Sequence, residues 1–352
     1  MTTTAHPGTN GRGTAGDPGG SREAGGREAG GRARLGGLVW LVWRQHRLVF
    51  GVLLAAAVAG VVWCVVLRGQ MAGFIDSHHI AGCSQISLVP RCAHTQEAVT
   101  EFRDTYGSPL RLIEVGLVLL PALIGLFLGA PLIARELEAG TDKLVLTQSV
   151  GPLRWLAAKT GLPALVVLTA TTGLSLAFSW LWQVAGDEVS GFYWYSTLGF
   201  HSLGPVPVAY SLLALAVGTL AGLLLRRTVL SMGVTLAAVV MAQAALSQLR
   251  RYLLPAETAE FPQNRPAQLP DDSWVVGQGN YTRSGARLPD APCDPSPGYE
   301  ACLRQHDVAG QYMEHHPASH HWPLAWIEAG IVLAVAAVLT VLAFRAMRRR
   351  HG

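Results

Sequence analysis

An all-α membrane protein with six transmembrane helices is the fold class that the sequence predicts, on three observations. Half of the 352 residues are hydrophobic and only 14% are charged, whereas soluble chains carry about a quarter charged residues. The apolar residues fall into six runs of about 20 residues each, the length that crosses the hydrocarbon at ~1.5 Å per residue. The basic residues cluster beside those runs, so the net charge of +4 reports orientation in a membrane and not nucleic-acid binding.

Residues 1–34, with the near-repeat GGREAGGREAGGRAR, hold almost nothing that can be buried and are expected to form a disordered cytoplasmic tail. The first apolar run begins too late, and too many others follow it, for the start to be a secretory signal. Residues 35–352 make one six-span domain. It opens on 35–47, read as an interfacial helix: Trp40 and Trp43 lie three apart, as do Arg44 and Arg47. That spacing gives a helix an aromatic side and a basic end suited to lipid headgroups. The plainer alternative is the flank of the first span.

The predicted spans are 48–67, 113–134, 162–184, 206–225, 228–248 and 323–344, all rich in the small residues that close helix packing in lipid requires. With the N-terminus inside, the short cytoplasmic segments hold 17 basic residues and the much longer outer loops hold 10, which satisfies the positive-inside tendency. Arg226-Arg227 and the RAMRRR end are the sharpest anchors. The outer loops are then 68–112, 185–205 and 249–322, and both termini are cytoplasmic. Cys64 lies in the first span. Cys83 and Cys92 share one outer loop, and Cys293 and Cys302 share another, which points to disulfides in an oxidising space. Four cysteines allow three pairings, of which Cys83–Cys92 with Cys293–Cys302 is the local one. The absence of a CxxC spacing argues against metal, and no metal site is expected. The length of 249–322 suggests a small extracytoplasmic cap.

Residues 135–160 form the cytoplasmic connector between the second and third spans. Here Arg135, Glu136, Glu138, Gly140 and Thr141 precede an apolar patch at Leu144–Leu146. Pro152 then suits the first turn of a helix, which Arg154, Trp155 and Lys159 are expected to anchor at the inner surface. Mixed charge beside an apolar patch fits a short helix that docks in a partner's groove. Reversing Glu136 and Glu138 to Lys is therefore expected to uncouple such a partner without loss of folding.

Chemistry is sparse. There is no GxxxxGK[ST], GxSxG or HExxH, so the chain is expected to bind no cofactor and to hydrolyse no ATP of its own. Glu328 sits near the outer end of the sixth span, counted about 8 Å in from Pro323. It reads equally as a pathway or structural acid and as a hydrated one. Glu114 is expected at the boundary of the second span. In EHHPASHH, His316 and His320 lie four apart, but Pro317 disfavours a regular helix between them. A solvated strip is the preferred reading there, over metal binding or pH sensing.

Several motifs together resemble the permease subunits of ABC-2 type transporters, in particular a bacterial subgroup that exports drugs or antibiotics. These are WRQHR (43–47), LPALIGLFLGAPLIARELEAGT (120–141), LTQSV (146–150) with RWLAAK (154–159), GLLLRRTV (222–229), and HPAS with the following IE (316–328). Gly151-Pro152 and His320-His321 depart from the pattern. The resemblance implies a coupling helix within 135–159, an N-terminal interfacial helix, and a pair of short re-entrant helices before the last span. It also implies a homodimer or paired permease on separate ABC ATPase subunits, which carry the ATP and magnesium, in a bacterial plasma membrane. The cargo expected is a small amphipathic or hydrophobic molecule moved outward. The alternatives from other classes are a sensory or binding protein using the disulfide-bearing loops, and a membrane-embedded enzyme.

Overall fold

The computed structural model describes residues 23–83, 92, 94–140, 151–263, 267–270, 272–288, 293 and 298–351. The expectations for residues 1–22, and for Thr141 and the apolar patch within 141–150, lie outside the described residues.

Helix α1 (Glu23–His78) starts inside the tail expected to be disordered. α1 continues without a break through 35–47. The interfacial helix is thus no separate element, because WLVWRQHRL contains no Gly or Pro to interrupt it. Helix α2 (Gln96–Ile124), a π-turn at Gly125–Gly129 and helix α3 (Pro131–Glu138) form one rod. Pro131 has no N–H to offer the ladder, and Ala130 N donates five residues back to Gly125 O at 2.9 Å. Gly140, at φ +68°, ends α3 in the left-handed region that favours glycine.

Helix α4 (Pro152–Ser190) is broken near its end at Gly186. Helix α5 (Thr197–Ser202) follows, its start capped by the Ser196 hydroxyl, which accepts from Gly199 N at 3.0 Å. Helices α6 (Val206–Leu225) and α7 (Thr228–Leu249) are joined by Arg226-Arg227 alone. A 3₁₀ turn, Arg250–Tyr252, leads from α7 into the sheet region. Among the described residues, six helical stretches are long and apolar enough to cross a membrane, the last within the C-terminal helix. The segments read as outer loops are partly helical: α1 persists to His78 and α2 begins at Gln96.

α6 is the central post. Its apolar window is 67% buried, against 17% for the windows of α1 and α7, which turn their apolar residues outward as lipid-facing helices do. Small residues permit this centrality. GLFLG at 125–129 and GTLAG at 218–222 each place glycines four apart; Gly129 meets Gly218, Gly125 faces Ala214, and Gly222 faces Ala130 and Ala134. A Cβ on Gly218 would lie 2.6 Å from Ala130 N and from Gly129 C, so the two backbones are in contact.

The region between α7 and the last span overturns one expectation. In place of a re-entrant pair, the described residues form strands β1 (Glu257–Pro262), β2 (Trp274–Thr282), β3 (Arg287–Leu288) and β4 (Val308–His316), with helix α8 (Tyr299–Gln305) before β4. The sheet order is β1-β4-β2-β3, antiparallel throughout. Aromatic and β-branched residues (Trp274, Val275, Tyr281, Val308, Tyr312) favour strands over helices here. After Pro317, a 3₁₀ turn (Ala318–His320) opens helix α9 (His321–His351). The sheet rests on the span ends. Trp194 Nε1 donates to Asp272 O at 2.8 Å, and Tyr195 stacks parallel to Trp274.

Both disulfides take the local pairing, Cys83–Cys92 and Cys293–Cys302, while Cys64 is free and buried. Peptide mapping without reductant is expected to recover these two linked pairs. Cys64 should resist alkylation until the protein is denatured; early modification of Cys64 would contradict the packing of α1 on α4.

Candidate functional site

Two clusters of polar groups interrupt the apolar interior. The first lies where the connector meets the spans. Lys159, 2% exposed, donates to Glu136 and, at 3.4 Å, to Leu132 O. Gln45 Nε2 of α1 donates to the same Glu136 oxygen at 3.2 Å. Glu138 accepts from Thr228 N at 2.9 Å and Thr228 Oγ1 at 2.7 Å, which caps α7 with a negative charge at its positive end. Trp155, 3% exposed, packs with Phe50, Leu132, Ile133 and Met347, and Lys159 sits over its ring at 5.2 Å.

This geometry corrects two expectations. Trp155 and Lys159 do not lie at the inner surface; they are internal. The two acids are engaged within the chain: Glu136 pairs with Lys159 of α4 and Gln45 of α1, and Glu138 holds the start of α7. Reversal of Glu136 would leave Lys159 buried against a like charge, and an uncompensated buried charge costs about 3–5 kcal/mol. Loss of folding is therefore the expected result for that variant. Arg135, Arg154 and Gly140 remain exposed.

The second cluster was half legible. Glu328 is not hydrated: it is 0% exposed. Arg250 grips it as a fork, Nε to Oε2 at 2.9 Å and Nη2 to Oε1 at 3.3 Å. Tyr210 donates its hydroxyl to Oε1 at 3.1 Å. His201 Nδ1 donates to Thr197 O at 2.8 Å, and its Nε2 lies 3.3 Å from Arg250 Nη2 and 3.5 Å from Glu328 Oε1. The Arg250 guanidinium also lies over the Phe200 ring at 3.4 Å. Four elements are tied here: α5, α6, the 3₁₀ turn after α7, and α9. Glu114, expected at a boundary, is likewise fully buried, 3.4 Å from Arg111.

Neither cluster surrounds an open space with a nucleophile and a base. Among the described residues, no group of three or more His, Cys, Asp or Glu is placed to hold a metal ion. What both clusters do is fasten helices to one another.

Among the described residues, six candidate spans, an internal charge lock and a tightly crossed glycine pair make a bundle of packed rods. A family model described as ABC-2 membrane transporter related matches residues 54–251. The chain belongs to this family. A search of curated proteins found no match. The matched region takes in five of the permease's spans and stops at Arg251, so the sheet and α9 lie beyond it. The Glu328 cluster therefore joins the matched part of the permease to the unmatched part.

Sequence reasoning missed Arg250, His201 and Tyr210 as partners of Glu328. A signal existed: a lone acid within an apolar span needs a cation, and Arg250 ends the fifth apolar run at the same side of the membrane. The sequence distance of 78 residues concealed the pairing.

The histidine strip is ordered by the sheet. Pro317 does prevent a regular helix, yet the 3₁₀ turn brings His316 Nδ1 to 3.1 Å from His320 Nδ1. His316 Nε2 lies 3.3 Å from Arg251 O and must donate to it, so Nδ1 accepts from His320. Burial pushes the His316 pKa down from the ordinary value, and the neighbouring His320 and His315 act the same way, while the Arg251 carbonyl and Glu257 oppose them. The folded state thus favours neutral His316. Its contribution to stability is complete above the unfolded pKa of about 6.5 and is lost as pH falls from there toward the folded value. Hydrogen exchange of the β4 amides, corrected for intrinsic rate, is expected to quicken several-fold between neutral pH and the acid side of that window. His316→Gln should flatten the response; an unchanged response in that variant would assign it to another group.

Proposed function

We infer that the chain is the membrane subunit of an ATP-binding-cassette exporter and that a separate ATPase drives it by pushing on residues 135–160. The observation that carries this reading is the Gln45–Glu136–Lys159 contact. It fastens the base of the connector to α1 and α4 at once, so a displacement there moves three spans as a body and not one loop. Arg135 and Arg154 lie exposed at the two ends of the connector, where a partner's acidic groove could engage them. ATP and magnesium belong to the partner. Two permease halves, most simply two copies of this chain, would rock about their shared interface and release a small amphipathic or hydrophobic molecule on the disulfide-bearing side. The plasma membrane of a bacterium, with both termini cytoplasmic, is the setting that the distribution of arginines supports.

The test uses the permease co-expressed with its ATPase in vesicles. Arg135→Glu with Arg154→Glu is expected to reduce permease-stimulated ATP hydrolysis at least about tenfold, the equivalent of ~1.4 kcal/mol of coupling, with the melting temperature unchanged. Full stimulation in that variant would remove the connector from the mechanism. Labelling of Arg135→Cys from outside intact cells would invert the topology.

A further inference from the structure

A cavity of about 250 Å³ lies in the sheet region, beyond the residues that the family model matches. Its floor is one row of the sheet. Phe261 on β1 pairs with Gln311 on β4, Gln311 pairs with Asn280 on β2, and Asn280 pairs with Leu288 on β3. Residues directly opposite one another on antiparallel strands point to the same face. Leu288 packs with Tyr299, Leu303 and Val308, so that face is the one α8 covers. Tyr299 and Glu300 of α8 stand across the cavity from the row. Cys302, on the same helix, is bonded to Cys293, which fastens this wall.

Asn280 is the telling residue. It is only 6% exposed, yet its side-chain amide makes no hydrogen bond among the described residues. Neither of its polar atoms is sealed from solvent. A buried amide left without a partner is costly, and this one presents an unused donor and an unused acceptor to the cavity that it lines. The rest of the lining restricts what could meet it. Gln263 and Gln311 add two amides, Glu300 a carboxylate, and Phe261 and Tyr299 two aromatic rings; no lining residue is basic. An amide donates and accepts, and a carboxylate accepts at two oxygens. Neighbouring hydroxyls on a ring match such planar groups, because each hydroxyl also donates and accepts. Aromatic rings offer apolar area to the C–H face of the same guest. An anionic guest would meet the Glu300 carboxylate with no lining cation to offset it. A cavity of ~150 Å³ takes up benzene and drug-sized sites begin at ~300 Å³, so this one has room for a single six-membered ring with its substituents.

We propose that this pocket binds one pyranose ring of a saccharide: Asn280 and Gln311 bond adjacent hydroxyls, Glu300 accepts from another at the rim, and Phe261 and Tyr299 pack on the C–H face. The sheet would then read a sugar on the side of the membrane that carries the disulfides. The proposal rests on the sheet and α8 and not on the exporter reading. Sugar binding and ATPase stimulation are measured separately, so either can fail alone.

The experiment places the full chain in lipid nanodiscs, free of any detergent with a sugar headgroup, and records saturation-transfer NMR. The probes are the methyl glycosides of glucose, mannose, galactose and N-acetylglucosamine, each titrated alone. Tetramethylammonium and inorganic phosphate are the comparison arms. At least one glycoside is expected to give saturable transfer with a Kd of about 1 mM or tighter. Asn280→Leu, similar in size but without the amide, should weaken it at least about tenfold. Gln311→Ala, at an exposed position, should weaken it several-fold with the melting temperature unchanged, and it carries the test should Asn280→Leu unfold the sheet. Four glycosides without saturable transfer, transfer that survives both substitutions, or tighter binding of tetramethylammonium or phosphate at the same residues would each overturn the proposal.

Discussion

Glu328→Gln is expected to lower the stability of the permease by about 3–5 kcal/mol, the range measured when one partner of a buried ion pair is removed. The substitution keeps the size of the side chain and takes away only its charge. Arg250 would then sit 2% exposed with no counter-ion, over the Phe200 ring, and Tyr210 would lose a charged acceptor for a neutral one. Arg250→Met should be equally damaging, because it strands the carboxylate. The double variant Arg250→Met with Glu328→Met should recover much of the loss, since two apolar side chains of similar volume owe no desolvation penalty. His201 and Tyr210 would still want partners, at about 1–3 kcal/mol for a stranded polar group, so recovery stays partial. Thermal unfolding in detergent, followed as the loss of the monodisperse peak, reads all four proteins. If Glu328→Gln melted with the parent and only transport were lost, Glu328 would be a pathway acid and the clamp would be wrong. The stakes are mechanical: this cluster joins α9 to the region matched by the family, so releasing it would loosen the outer end of the last span on the central post, where apolar packing would remain.

The second large effect belongs to a single methyl group. Gly218→Ala should cost about 1–3 kcal/mol, at the upper end of what overpacking costs. The added Cβ would stand 2.6 Å from Ala130 N and Gly129 C, and backbone atoms have no rotamer to escape into. Gly218→Leu should leave no folded protein. The contrast is what makes the test sharp. Gly116 and Gly233 also sit within spanning helices, but a Cβ there would meet nothing within 4 Å. Alanine at either position should be neutral or stabilise by up to about 1 kcal/mol, from helix propensity alone. Equal tolerance at Gly218 and Gly233 would mean that α3 and α6 do not cross as closely as described, and the central position of α6 would go with it.

Much of this molecule can be read along the chain. Membrane spans leave long apolar runs whatever their partners, so all six were found, the last three to within a few residues; the helices that carry the first three run well beyond the apolar runs. The cysteines fell into two loops, and each closed on its neighbour. The family resemblance rested on short motifs such as RELEAGT and GLLLRRTV, and the matched region agrees with it. The connector was recognised by its charge, though not by how that charge is used. Glu136 and Glu138 looked like a docking face because an acid in an interhelical segment is normally solvated. In fact Glu138 faces the start of α7, and Glu136 faces the buried ammonium of Lys159. The four strands lay in a stretch rich in Pro, Gly and Asp, where turn residues obscured the aromatic and β-branched alternation of WVVGQGNYT and VAGQYMEHH.

The sequence by itself determined the solvent of this protein and the number of its candidate crossings. Hydropathy is a sum over neighbours in the chain, and those two properties depend on nothing else. The tertiary structure alone decided that Glu328 is held by Arg250 and that Lys159 is interior. Those facts concern groups brought together from distant turns of different helices, and the free energy of a buried charge or donor is set by what it meets there.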